Sequence, residues 1–390
     1  MSDRVAIIGI GATQFRSISP DLSYKELMFE AAVKAYEDAG INPRKDVDTF
    51  VTCAEDYIEG TSIFDEYVPD QIGAALKPVH TIGGDGLHGL ATAFLQIRTG
   101  RFEVAVIEAH CKPSNMLTPD GIEACGQDPI YNRPLELNTH FIAGLEMNRF
   151  CYETGITYDH CAKVVIKNRK NALNNPIAGR AAKLTLDDFK YADGIACPLT
   201  DLDVAQPVDG AVVIVIASEA KAQALKKNPI WITGIGWCNG TPSLESRDWV
   251  RPEYVTKAAE MAYQMAKITD PRKEICFAEI DDRYSYKELQ HMMALKLCCE
   301  CGAGQCIERG ITDIRGEFPV NPSGGALGMG YLYEATGLAR LYCAVEQLRG
   351  DAGKNQIKNA KTALIQAWRG LPTTSAVVTI LSVSGGNDGK

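Results

Sequence analysis

Two adjacent carboxylates, Asp281 and Asp282, stand at the end of a short apolar run, residues 275–280. Like charges so close raise the pKa of one member, which can make a carboxylate a general base near neutral pH. A charge pair at a helix N-terminus accounts for the same residues equally well. Further on, residues 320–340 read VNPSGGALGMGYLYEATGLAR. A strand, a turn with the paired glycines Gly324 and Gly325, and then a helix gather backbone N–H groups at one point, and such a point favours negative charge. A tight strand-to-helix connection in an α/β core is the alternative, and on this stretch alone it stays open. Cys298, Cys299, Cys301 and Cys306 form the densest cluster among thirteen cysteines. Their spacing is not the paired Cys-x-x-Cys of a zinc site, so loop or buried thiols are expected and metal ligands are not. His80, His88 and His140 carry no motif, and His88 is expected to pack within a helix.

The elements that must position these groups alternate. An apolar strand over 5–10 is followed by a helix to Gly40, opened by Ser23 and Glu26 in a capping-box pattern. Strands over 47–52, 78–82 and 103–109 follow, with the turn Gly83-Gly84-Asp85-Gly86 and a helix over 87–99 between the last two. From 111 to 200 the pattern breaks into a region rich in Pro, Asn, Gly and Tyr, with one clear helix over 158–172. It reads as an inserted loop domain covering a site. A strand over 211–217 returns to the core, and the order then repeats: strand 231–235, helix 254–268, strand 275–280, helix 286–297, the glycine stretch and its helix, and strand 375–383. Strands alternating with helices predict a parallel sheet covered on both faces. The expected organisation is a duplicated βαβαβ unit: an N-terminal half from 1–110 and 201–228, a loop domain over 111–200, and a C-terminal half over 229–390.

The chain of 390 residues is long enough for two or three domain-sized units. Its 46% hydrophobic and 23% charged content are those of an ordinary globular protein. A net charge of −9 and the lack of a basic arm argue against a non-specific nucleic-acid binder. Residues 1–10 lack a signal-peptide layout and no apolar run reaches membrane-spanning length, so reduced thiols in a cytoplasm are expected.

The blocks VAIIGIGATQF, ELMFEAAVKAYEDAG, VVIKNRKNALNNPIA, PVDGAVVIVIASEAKA and NPSGGALGMGYLYEATGLAR together resemble the thiolase superfamily, in its sterol-carrier-protein-type branch. The resemblance spans nearly the whole chain. It implies a five-layered αβαβα fold, a homodimeric core and coenzyme A thioesters as substrates, with no tightly bound cofactor. It also implies a small partner subunit with a zinc ribbon and an OB-fold. The slot of the family's nucleophilic cysteine is here Gly83. The Gly-His-Pro block is Gly330-Tyr331-Leu332, and the family's second histidine, which precedes an aspartate, falls at the Asp281-Asp282 pair, followed by Arg283-Tyr284. Glycine cannot carry an acyl group, so the usual acyl-cysteine is lost. Backbone N–H groups at Gly83, Gly325 and Gly385 are the expected oxyanion donors. Cys111, beside His110 at a strand end, is the expected substitute nucleophile, and a small buried thiol is the alternative. Tyr331, Asp281, Asp282 and Tyr284 are the remaining catalytic candidates. Lys167, Arg169 and Arg180 are the candidates for coenzyme A phosphates. Within the branch the chain resembles enzymes of anaerobic toluene degradation that split benzoylsuccinyl-CoA with coenzyme A into benzoyl-CoA and succinyl-CoA. Retro-aldol cleavage of a β-hydroxyacyl-CoA, as in steroid side-chain degradation, is the rival expectation, and a non-catalytic acyl-CoA-binding subunit is the third.

Overall fold

Ser23 opens the first helix by accepting from the backbone of Glu26 while Glu26 returns a carboxylate to the Ser23 N–H, so two orphan amides are satisfied at once. That helix, α1 (Tyr24–Ala39), ends on the left-handed Gly40 and lies against β1 (Val5–Ala12). The contact is close because Gly9 and Gly11 have no side chain. A Cβ on Gly9 would sit 2.4 Å from the Ala35 carbonyl. The computed structural model describes residues 4–55, 63–225, 229–371 and 374–384.

After β1 and α1 come β2 (Thr49–Cys53), β3 (Val79–Ile82), α2 (Gly86–Arg98) and β4 (Val104–Cys111). The covering region holds α3 (Thr139–Thr154), α4 (Tyr158–Ala172) and a small ribbon of β5 (Gly194–Ala196) and β6 (Leu199–Thr200). The chain returns through β7 (Gly210–Ser218) and continues with β8 (Ile230–Asn239), α5 (Glu253–Ala266), β9 (Phe277–Glu279) and α6 (Ser285–Ala294). The glycine stretch forms the short α7 (Gly325–Met329), and α8 (Thr336–Arg349), β10 (Thr362–Trp368) and β11 (Ser375–Ser382) complete the fold. Gly234 and Gly236 on β8 let α5 approach as Gly9 and Gly11 admit α1; a Cβ on Gly234 would meet the Ala262 carbonyl at 2.2 Å.

Among the described residues the main sheet runs β3-β2-β4-β7-β1-β8-β11-β10-β9. It is mixed, not parallel as the alternation predicts. Only β2 with β3, β2 with β4, and β9 with β10 run parallel. The reason lies in the covering region: the chain leaves β4 and re-enters at β7 from the same end, so β7 pairs antiparallel with both β4 and β1.

The apolar clusters define the layers. Leu27, Met28 and Ala31 of α1 pack on Ile8, Val213 and Val215. Leu87, Leu90 and Phe94 of α2, with Leu338, Leu341 and Val345 of α8, form a middle layer. That layer meets Ile107 and Ile214 on one side and Ile365 and Val377 on the other. Val255, Ala258 and Ala262 of α5 cover Leu364, Ala376 and Val378. Helix, strands, helices, strands, helix is the thiolase arrangement expected above. The two strand layers join at one edge, where Val5–Ile7 pair with Ile230–Ile232.

Candidate active site

Arg340 on α8 is fully buried, and two carboxylates reach it from the end of β9. Asp281 Oδ2 accepts from Arg340 Nη1 at 2.8 Å, and Asp282 Oδ1 accepts from Nη2 at 3.2 Å. Asp282 also accepts from the backbone of Ala326 at 2.6 Å and Leu327 at 3.2 Å, and from Asn168 Nδ2 at 2.8 Å. The amide-rich start of the glycine stretch therefore does hold an anion, and that anion is the chain's own Asp282. Asp281 is engaged by Arg340 and by the Arg283 N–H at 3.0 Å. Neither carboxylate is free to act as a base on a ligand, which corrects the expectation for this pair. Burial raises Asp282 to about 6, against the pull of Arg340. Two further buried acids adjoin them. Burial lifts Glu279, held by the Ser323 N–H and hydroxyl, to about 8. It lifts Asp85 to about 7; this side chain caps α2 through the Leu87 N–H and accepts from Gly337 N–H on α8, both at 2.8 Å.

Above this charged floor lies an aromatic group. The Arg283 guanidinium carbon stands 4.5 Å from the centre of the Tyr331 ring and 5.5 Å from that of Tyr284. Arg283 is fixed by Glu123, whose two oxygens accept from one terminal nitrogen at 2.7 and 2.9 Å. Tyr331 and Tyr333 rings lie 4.7 Å apart, and Tyr284 Oη meets His140 Nδ1 at 3.2 Å. The backbone of Tyr331 is pinned by Gln206 and Val208, whose segment leads into β7. Burial pushes the Tyr331 phenol well above its ordinary value, with Arg283 opposing. The ring therefore holds its proton at neutral pH and presents a hydroxyl donor beside a fixed cation. Tyr331 Oη makes no hydrogen bond to another described residue.

The other expected residues fall differently. Cys111 is fully buried in the apolar cluster that contains Tyr284, Tyr331 and Tyr333. His110 points to the opposite face of β4, as strand alternation requires, where it bonds Glu108 at 2.9 Å and stacks on Tyr24. It cannot activate Cys111, so the cysteine–histidine pairing is corrected. Gly83 precedes α2 with open space where a Cβ would project. Gly325 aims its N–H at Ser323 Oγ, 3.4 Å away, and a Cβ there would strike Asp282, so it serves the turn and is no oxyanion donor. Gly385 lies outside the described residues. Lys167 is buried between Glu288 and the Val320 carbonyl, each at 2.7 Å, and is spent on the fold. Arg169 and Arg180 stay half-buried, and burial first, then the neighbouring Arg180, depresses Arg169. Arg180 also bonds the Pro207 carbonyl at 2.8 Å. Glu123, Arg340, Asp85 and Glu279 were not singled out from the sequence. Arg340 had a signal: a charge set among Leu338, Leu341 and Val345 on a helix needs acids to meet it. His140 was set aside for want of a motif and stands beside Tyr284.

Residues 238–383 match the thiolase C-terminal domain-like family. The chain is 28% identical over 381 residues to an acetyl-CoA acetyltransferase of Methanothermobacter thermautotrophicus, covering 96% of this chain and 98% of the relative. It is 28% identical to a 17-hydroxy-3-oxo-4-pregnene-20-carboxyl-CoA lyase of Mycobacterium tuberculosis, covering 97% and 100%. The solved structure of an Ltp2-ChsH2(DUF35) aldolase superposes with a TM-score of 0.81 at 26% identity, over 98% of each chain. The fold is that of the thiolases, and the chain is similar to their sterol-carrier-protein-2-type, thiolase-like branch. These relatives include an acetyltransferase and a carboxyl-CoA lyase by name.

Proposed function

We propose that this chain cleaves a carbon–carbon bond beside a coenzyme A thioester by a retro-aldol step on a β-hydroxyacyl-CoA. The observation that carries the reading is Tyr331 in the slot of the family's histidine, under a guanidinium 4.5 Å from its ring, with Gly83 in the slot of the nucleophile. In a retro-aldol step the β-hydroxyl loses a proton and the Cα–Cβ bond breaks. Its electrons form a thioester enolate, and Cα then gains a proton. No covalent acyl-enzyme is needed. A tyrosine that burial holds protonated acts here as a concerted relay, its oxygen taking the hydroxyl proton only as its own proton leaves for Cα, so that no charged phenol forms and the enzyme's charge is unchanged. Arg283 stabilises negative charge developing near that oxygen, and the Gly83 N–H, where no side chain intrudes, serves the enolate. Arg169 and Arg180 meet the coenzyme A phosphates. The likeness to the aldolase and to the carboxyl-CoA lyase supports the same step.

A second reading has one observation in its favour: Cys111 shares the apolar cluster of Tyr331 and Tyr333. It is coenzyme A-dependent thiolysis of a β-ketoacyl-CoA, with benzoylsuccinyl-CoA as the substrate that the sequence resemblance suggests. In either case a DUF35-type zinc-ribbon partner and a homodimeric core complete the assembly.

The test supplies the protein, with its partner, with either a β-hydroxyacyl-CoA and no free coenzyme A, or benzoylsuccinyl-CoA with coenzyme A. Release of a ketone or aldehyde from the first, unchanged in Cys111→Ala, is the expected result. Turnover only with free coenzyme A, lost in Cys111→Ala together with an acyl adduct on that residue, overturns the retro-aldol reading in favour of thiolysis.

A further inference from the structure

The segment between α6 and the glycine stretch carries four cysteines within nine positions, of which Cys298 also packs against the apolar cluster that holds Tyr331. Residues 299–302 turn back on themselves: Gly302 N–H donates to the Cys299 carbonyl at 3.0 Å with Gly302 at φ +87°, and Cys306 N–H donates to the Gly302 carbonyl at 3.0 Å. The turn brings Cys299 Sγ to 3.1 Å from Cys306 Sγ, and the sulfurs of Cys299, Cys301 and Cys306 all lie within 4.8 Å of one another. Cys299 N–H also points at Cys306 Sγ, 3.4 Å away, an arrangement that orients a thiolate. Cys298 adjoins Cys306 by a thiol–thiol contact, and Arg272 bears on both. Cys299 and Cys301 are joined as a disulfide, so these two are not the reduced thiols that the cysteine usage suggests.

We propose that this hairpin is a thiolate site for a soft divalent transition metal, formed when the Cys299–Cys301 bond is reduced. Tetrahedral zinc with bonds of about 2.3 Å to sulfur needs ligand sulfurs roughly 3.8 Å apart, which is the scale on which the three are already gathered. Cys299, Cys301 and Cys306 supply three ligands, and Cys298, whose thiol interacts with that of Cys306, is the candidate for the fourth. Sequence spacing alone hid the set because a Cys-Cys-x-Cys run offers no second pair; the turn at Gly302 and the short helix Ala303–Glu308 bring Cys306 back to close it. The chemistry balances with a dithiol reductant. Two electrons and two protons from the dithiol convert the disulfide to two thiols, the dithiol closes to its own disulfide, and metal binding displaces the thiol protons to solvent. Cys298, Cys299, Cys301 and Ile311 pack against the core beneath α5 and β9. The metal would therefore fix the turn that follows α6, where it packs beside the outer helix layer.

The intact chain, reduced with excess dithiothreitol without oxygen, then freed of reductant and chelators, is titrated with Zn2+ and, separately, with Co2+. The expected result is about one metal per chain and a sulfur-to-cobalt charge-transfer band. Both Cys301→Ser and Cys306→Ser should weaken zinc binding by at least about tenfold, while Cys238→Ser, away from the hairpin, leaves it unchanged. The cobalt band, recorded on the unmutated chain, does not depend on whether a variant folds. Absence of that band, or zinc uptake that survives both substitutions, overturns the proposal.

Discussion

Tyr331 meets three constraints at once: a backbone pinned on both sides by the 206–208 segment, a ring under Arg283, and a hydroxyl that no described residue engages. Removing only that hydroxyl isolates its chemistry. Tyr331→Phe is expected to lower kcat by about 10²–10³ while leaving KM and the unfolding midpoint near their original values, as steady-state kinetics and thermal melts would show. A parallel loss of stability would instead assign Tyr331 to packing. At this scale the sequence was informative about replacement and poor about environment. The glycine and tyrosine in the slots of the family's cysteine and histidine could be read directly. Whether His110 faced Cys111 depended on where the strand expected over 103–109 ends; β4 runs on to Cys111, and alternation then sets the two neighbours on opposite faces.

The short helix α7 shows what an element can disguise. Its exposed amides looked like a ligand site because a helix start is attractive to any anion, and the sequence cannot say whether that anion arrives from solvent or from the chain. Here it comes from Asp282, which Arg340 and Asn168 hold in place. Three distant segments thus depend on one guanidinium. Arg340→Met would leave two buried acids with no counter-charge and is expected to cost about 3–5 kcal/mol in urea unfolding, far more than the loss of an exposed ion pair. The boundaries of α1 were legible, since the capping box before it and Gly40 after it fell where the local chemistry put them, whereas the glycine pair read as a turn already opens α7 at Gly325.

At the scale of the whole molecule, the alternation of strands and helices gave the layers but misjudged strand direction. Direction depends on where the covering region leaves and rejoins the sheet, and no local pattern records that. The buried acids between the halves give the molecule a pH response. Glu279 has a folded pKa of about 8 against an ordinary 4.5, so the folded state keeps a proton that the unfolded chain releases. Its contribution is complete below the unfolded value and is lost as pH rises through about 8. Denaturation midpoints are expected to fall between roughly pH 5 and 9, and Glu279→Gln to flatten that decline. A decline of equal slope in the variant would place the effect elsewhere.

Asp85 reaches across the middle layer, one oxygen on the first turn of α2 and the other on the first turn of α8. A single side chain is thus shared by two helices whose strands lie on opposite sides of them, so neither helix can slide along the other without breaking a clasp. The starts of these two helices therefore keep a fixed spacing, set by the length of one carboxylate.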